Sequence, residues 1–340
     1  MKGKRNVTVS ILCAAGILAL ILDSRTAIAS GIEGVELCIY TVLPSLFPFF
    51  LFSGLLVSSL QGIRLPLPRS LRLKLGIPDG GEGLLLTGLL GGYPVGALSI
   101  SQLYTKGVIP AKIARRMLGF CVNAGPAFLF GICGMLFSRP WIPWILWFIH
   151  IVAALLTAWI LPGKENVSIG RIDRQITVAD ALRRAVINIA LVCGWVILAK
   201  VLIGFLDRWL LWIFPRDLRI LLIGMIELSN GCTELSKVVS EPLRFILCSG
   251  MLAMGGASVY LQVVSATGTL GTGMYIHGKL LQTGISTALA FIGQYFLFSQ
   301  PLSYGSIAVP ALLLGIIITG LIPYSVFYKN KSSILLNNHV

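Results

Sequence analysis

Charge is what this 340-residue chain has least of: 12% of its residues are Asp, Glu, Lys or Arg, about half of the ~25% that a soluble domain carries. A soluble enzyme is excluded on that ground. Histidine is scarce too, with His150, His277 and His339 far apart, so no H-E-x-x-H or Ser-His arrangement is available for hydrolysis. The seven cysteines, Cys13, Cys38, Cys121, Cys133, Cys193, Cys232 and Cys248, contain no C-x-x-C pair. They imply neither a zinc site nor a disulfide framework and read as small packing residues. No metal, cofactor or catalytic residue is expected. Long polar stretches are missing as well: the longest interruption, 162–184, leaves no room for a soluble domain.

What the chain does have is apolar length. Hydrophobic residues make up 56% and mean hydropathy is +0.88. Ten runs approach the ~20 residues that a bilayer-crossing helix needs: 7–22, 35–60, 84–103, 118–138, 141–161, 185–206, 209–232, 245–266, 279–298 and 306–328. Many of the 37 glycines and 16 prolines lie inside these runs, where membrane helices tolerate them better than soluble ones do. Residues 1–340 therefore read as a single membrane domain with the lipid bilayer as its surroundings. The N-terminus imitates a signal peptide, with Lys2, Lys4 and Arg5 before an apolar run and Ala27-Ile28-Ala29 after it. An uncleaved first span is favoured because so many spans follow.

The net charge of +14 is carried by short basic segments between apolar runs, which is the pattern of positive-inside topology rather than of nucleic-acid binding. With 84–103 and 209–241 folded back as re-entrant hairpins, 19 of the 27 Lys and Arg fall on the cytoplasmic side, Lys279 among them, and seven on the other. Lys200 lies within a span. The expected architecture is an all-α polytopic membrane protein of about eight transmembrane helices and two hairpins, with both termini and the tail 329–340 cytoplasmic. Hairpin 84–103, interrupted span 118–138 and span 141–161 correspond to hairpin 209–241, interrupted span 245–266 and span 279–298. Span 185–206 between them makes the repeat inverted. Inverted repeats with interrupted helices belong to secondary transporters.

The candidate substrate-binding residues sit at these irregularities. Gly92, Tyr93 and Pro94 form the first hairpin tip, where glycine and proline leave backbone groups free for a ligand. A Gly-rich packing face is the plainer alternative. Asn123, Gly125 and Pro126 interrupt the next span, with Pro126 expected to free the Val122 carbonyl or to kink the helix. Glu227-Leu228-Ser229-Asn230-Gly231 reads as a polar turn. An acidic residue at membrane depth is costly, so Glu227 with Ser229 and Asn230 is a binding or proton-coupling candidate, unless it pairs with Lys200 or Arg219. Gly256, Ser258 and Gln262 mark the second interruption. Arg115-Arg116 and Arg183-Arg184 read as topology anchors, and Trp141, Trp144, Trp147, Trp209 and Trp212 as an interfacial belt. No mid-membrane cation is evident.

Five strings occur in order: Leu43-Pro44-Ser45-Leu46-Phe47-Pro48-Phe49, Gly92-Tyr93-Pro94-Val95-Gly96-Ala97, Asn123-Ala124-Gly125-Pro126-Ala127-Phe128, Glu227-Leu228-Ser229-Asn230-Gly231 and Gly255-Gly256-Ala257-Ser258-Val259-Tyr260-Leu261-Gln262. In this the chain resembles the YlbJ-like sporulation integral membrane proteins of the nucleoside-recognition or Gate-domain group over about 35–300. That group is similar in layout to the concentrative nucleoside transporters, although those carry Gln-Thr-Glu where this chain has Gly92-Tyr93-Pro94. The resemblance implies Gate-like repeats at 84–161 and 209–298. It also implies transport of a small organic anion, dipicolinic acid, in the cell membrane or across the outer forespore membrane during sporulation. A nucleoside-type transporter and a non-transporting membrane scaffold of sporulation are the alternatives. Homo-oligomeric assembly is compatible with the sequence, and the coupling ion is left open.

Overall fold

A computed structural model of the chain describes residues 2–60, 67–165, 169 and 177–299. The apolar run 306–328 and the tail 329–340 lie outside the described residues, as do Arg64, Arg171 and Arg174. Among the described residues the chain is helical, with no β-strand element.

It opens with α1 (Lys2–Leu22), α2 (Ser24–Leu37) and α3 (Leu43–Leu60). Asp23 separates the first two and caps α2, its carboxylate accepting from the Thr26 N–H at 3.4 Å. The break after 7–22 is thus only Asp23, and residues 24–37 are helix. A wider π turn, Cys38–Val42, joins α2 to α3, with the Leu43 N–H donating to the Cys38 carbonyl five residues back. Pro44 follows at once, and its ring cannot accept a regular preceding turn.

A short helix, α4 (Arg69–Leu75), precedes a pair of helices, α5 (Glu82–Leu90) and α6 (Val95–Thr105). The pair has nine and eleven residues, roughly 14 and 17 Å at 1.5 Å per residue, about half of a ~30 Å hydrocarbon layer. Next come α7 (Ala111–Leu118), a non-helical stretch 119–125, α8 (Pro126–Gly131) and the long α9 (Ile142–Ile160). After α10 (Val178–Trp209) the same order returns: the short pair α11 (Arg216–Ile226) and α12 (Leu228–Leu235), the broken pair α13 (Glu241–Met254) and α14 (Gly256–Thr267), and the long α15 (Gly273–Leu297).

Among the described residues five segments are long and apolar enough to cross a membrane: Ser24–Leu56, Ile142–Ile160, Val178–Trp209, Glu241–Leu270 and Gly273–Leu297. They cover five of the eight expected crossings. Of the rest, 7–22 is a shorter apolar helix, 118–138 is cut by the stretch 119–125, and 306–328 is outside the described residues.

Small residues set the packing. Ser30 and Gly34, four apart on α2, let α10 approach: a Cβ on Gly34 would stand 3.0 Å from the Ile197 backbone, and one on Gly204 would collide with Ser30. This is small-xxx-small contact between helices. Among the described residues two large apolar cores result, one around α8, α9, α12 and α13 and one around α5, α6 and α7, with Tyr93 packed against both, and a small third cluster joins Ile203, Leu211 and Ile223. Trp141, Trp144, Trp209 and Trp212 are exposed, whereas Trp147 is half-buried.

Arg116, read as a topology anchor, also has a packing role. It is buried, and its guanidinium donates to the carbonyls of Ala158 (2.5 Å), Gly76 (2.8 Å), Leu75 (3.0 Å) and Pro162 (3.1 Å). These carbonyls end α4 and α9, where helices leave acceptors unsatisfied and favour a cation. Its neighbour Arg115 donates to the Leu270 carbonyl at 2.6 Å.

Candidate functional site

The first short pair turns through Gly91, Gly92, Tyr93 and Pro94, with a cis peptide bond before Pro94. Gly92 has φ +72°, a conformation in which a side chain would be strained. Its turn rests on the first helix break, where a Cβ on Gly125 would lie 2.9 Å from the Gly92 Cα. Pro126 stands at the first position of α8, where its missing N–H costs no hydrogen bond. It starts a helix after the break and does not kink one, so the expected release of the Val122 carbonyl gives way to a fully non-helical 122–125.

In the second short pair the break is one residue, Glu227, in extended conformation (φ −150°, ψ 129°). Ser229, Asn230 and Gly231 are already inside α12, so the expected polar turn contracts to its first residue. Glu227 is buried, and its carboxylate caps the helix that follows: Oε1 accepts from the Ser229 N–H at 3.0 Å, Oε2 from the Asn230 N–H at 2.7 Å and from Asn230 Nδ2 at 2.8 Å. A buried carboxylate is held this way by N–H donors and the positive end of the helix dipole. The pairings offered as its plainer role do not form, since Lys200 pairs with Glu33 at 2.9 Å and Arg219 with Asp207 at 3.1 Å. The second broken helix parts at Gly255 and Gly256, both with positive φ (79° and 81°). A Cβ on Gly256 would lie 2.9 Å from the Gly224 carbonyl, so this break meets the second pair as the first break meets the first pair.

Three of these irregular points, the two short-pair turns and the first helix break, meet at one cavity with about 490 Å³ of atom-free space, open mouth included. Gly91, Gly92 and Tyr93 line it from the first pair, Gly125, Ala127 and Phe128 from the first break, Glu227, Leu228 and Ser229 from the second pair, and Val259 and Gln262 from α14. Leu46, Phe49 and Phe50 of α3 and Val192 of α10 complete the wall. Such a wall, apolar with a few converging polar groups, is the usual make-up of a small-molecule site.

Of the residues expected at the site, Gly92, Tyr93, Gly125, Glu227, Ser229 and Gln262 reach the cavity. Pro94, Asn123, Asn230, Gly256 and Ser258 do not line it. Pro94 precedes α6, Asn230 holds Glu227, Gly256 packs on the second pair, and Ser258 lies 3.5 Å from Gln262 Nε2 within α14. Asn123 is fully buried behind Tyr93 in a cluster that the sequence reading missed.

The centre of that cluster is Lys279, counted above with the cytoplasmic side. It lies inside α15 and is only 3% exposed. Its Nζ donates to Gln282 Oε1 at 2.6 Å, Asn123 Oδ1 at 3.4 Å and the Tyr93 hydroxyl at 3.5 Å. Gln282 Nε2 donates to Asn123 Oδ1 at 2.8 Å, and Asn123 Nδ2 to the Phe120 carbonyl at 2.8 Å. The Tyr93 hydroxyl in turn donates to the Leu252 carbonyl at 3.1 Å. Among the described residues no carboxylate pairs with Lys279. A signal was present in the sequence: Tyr275, Lys279, Gln282, Thr283, Ser286 and Thr287 recur at helical spacing on one face, and all are buried.

Among the described residues no three His, Cys, Asp or Glu side chains gather into a metal-holding group. The cysteines are free, and five are buried, with Cys133 and Cys232 sulfurs 3.6 Å apart. No family model matches the chain, and neither a curated protein nor a solved structure does so. What fold and site define is a class: an all-α chain with several membrane-length apolar helices and an internal cavity at its helix breaks.

Proposed function

We propose that this chain is a secondary transporter of a small organic anion, with the cavity as its substrate site. The observation that carries the reading is the convergence of both short-pair turns and the first helix break on one space, with α14 beyond the second break beside them. Packing alone gives no reason for three interruptions to meet, whereas a transporter needs irregular backbone where it lines a cavity. The recurring order of short pair, broken helix and long helix, with the single α10 between, supports an inverted repeat of 84–161 and 209–298 around that site. The eight-crossing topology with cytoplasmic termini belongs to the same proposal. Dipicolinic acid, moved across the outer forespore membrane in sporulation, is the substrate that the family resemblance implies. Its ring suits the aromatic wall of Phe49, Phe50, Tyr93 and Phe128.

The test is uptake by the purified full-length chain in lipid vesicles, with labelled dipicolinate and labelled uridine assayed side by side. Dipicolinate uptake above that of empty vesicles is the expected result. Uridine uptake alone moves the reading to a nucleoside-type transporter, and no uptake of either moves it to a membrane scaffold.

A further inference from the structure

Tyr93 is the wall between the cavity and the buried amine of Lys279. Its ring lines the cavity, while its hydroxyl is 3.5 Å from Lys279 Nζ and the ring centroid 5.4 Å away. The ammonium has three N–H donors, and all three meet neutral oxygens, two of them at 3.4 Å or more. Neutral acceptors solvate a buried charge without balancing it, and a buried cation lacking a counter-charge is costly. In low dielectric its field also reaches further than it would in water. The other end of the cavity differs. Glu227 is spent on the N-terminus of α12, so the amides that an incoming anion would seek there are already taken.

We propose that Lys279, with Asn123 and Gln282 around it, is the carboxylate-recognising subsite of the cavity, entered when a ligand carboxylate displaces the Tyr93 hydroxyl. This rests on the cavity being the substrate site. One ammonium with no further N–H donor on it matches one carboxylate. A phosphate, bringing more charge and a third acceptor oxygen, asks for more donors than the cluster offers. One carboxylate on the ligand is therefore enough, and its second substituent lies toward Ser229 and Gln262.

The test is binding to the full-length protein in detergent, read as ligand-induced rise of the thermal midpoint, with four probes: dipicolinate, picolinate, the dimethyl ester of dipicolinate, and uridine. Both carboxylates are expected to stabilise the protein, and the ester and uridine to leave it unchanged. Lys279→Gln should weaken carboxylate binding roughly ten- to a hundredfold, the range of one charge-assisted hydrogen bond. Gln282→Glu keeps the lysine and converts its 2.6 Å contact into an ion pair. It gives up the Gln282 Nε2 bond to Asn123 Oδ1 and gains that ion pair, so it should block carboxylate binding in a ligand-free protein that still folds, and the inference is tested even where Lys279→Gln fails to fold. Carboxylate binding that survives Gln282→Glu overturns the subsite and leaves the transport reading standing. Stabilisation by the ester equal to that by dipicolinate does the same. A wild-type protein that responds to none of the four overturns both.

Discussion

Gly96 of the first short pair lies so close to Cys121 that any Cβ at this position would collide with the Cys121 carbonyl oxygen, and the same oxygen blocks a Cβ on Gly88. The two arms of the pair thus clasp the backbone of the chain as it enters the helix break. In the second pair, Gly224 and Gly231 clasp the Met251 side chain in a similar way. The Gly-rich string at 88–96 therefore serves packing and site together, since the turn is held at the cavity by its glycine arms.

Gly96→Ala is expected to lower folded yield in detergent and to reduce stability by about 1–3 kcal/mol or more, because the obstacle is backbone and cannot swing aside. Gly194→Ala is the matched control. It lies within α10 with no atom near its missing Cβ, so it should be neutral or stabilising by about 0.5–1 kcal/mol. Thermal midpoints of the two variants, measured together, decide the point. Equal midpoints would remove the clasp.

Arg116→Lys separates two roles for a basic residue. A topology anchor needs only positive charge and tolerates lysine. The buried guanidinium instead spans four carbonyls from α4 and α9, and an ammonium cannot reach them all. The expected loss is about 3 kcal/mol, roughly that of one or two hydrogen bonds to a charged group. An unchanged melting midpoint would return Arg116 to the anchors.

The sequence made the helical class, both short pairs and both breaks legible, because glycine, proline and isolated polar residues in apolar runs have few other uses. Gly255-Gly256 marked the second break, the glycines around Gly92 the first turn, and Asn123-Ala124-Gly125-Pro126 the stretch 122–125. Side-chain partners were less legible. Arg116 and Lys279 each look like a charge near the edge of an apolar run, and only the fold shows carbonyls around one and Tyr93 in front of the other. Span boundaries were less legible for a related reason: hydropathy cannot see that Asp23 alone parts α1 from α2.

Glu227 offers a test in which structure and transport part company. Glu227→Gln keeps one acceptor oxygen for the first turn of α12, so its stability cost should be about 1 kcal/mol, within the range for a lost cap. If Glu227 is the coupling group of the proposed transporter, uptake of dipicolinate per folded molecule falls at least tenfold in the same variant. Uptake that merely follows the amount of folded protein would make Glu227 a cap and nothing more.

His150 makes the sharpest stability prediction because its burial has no evident return. The ring is 1% exposed on α9, and neither nitrogen has a hydrogen-bond partner among the described residues. The α9 helix packs along α15 there, with Ile149 beside Gly293, and Thr287 Oγ1 and both polar atoms of Gln294 on α15 are also unpartnered. Leaving such groups unsatisfied costs about 1–3 kcal/mol each, whereas an apolar side chain of similar size avoids that cost. His150→Leu should therefore leave the thermal midpoint unchanged or raise it. A fall of several degrees would mean that the imidazole is satisfied in the membrane by a group from outside the described residues, and α9–α15 would then be a hydrated seam instead of a dry one. Transport by the stabilised variant settles the remaining role: uptake at the wild-type rate makes His150 dispensable, and loss of uptake in a protein that melts higher makes it functional.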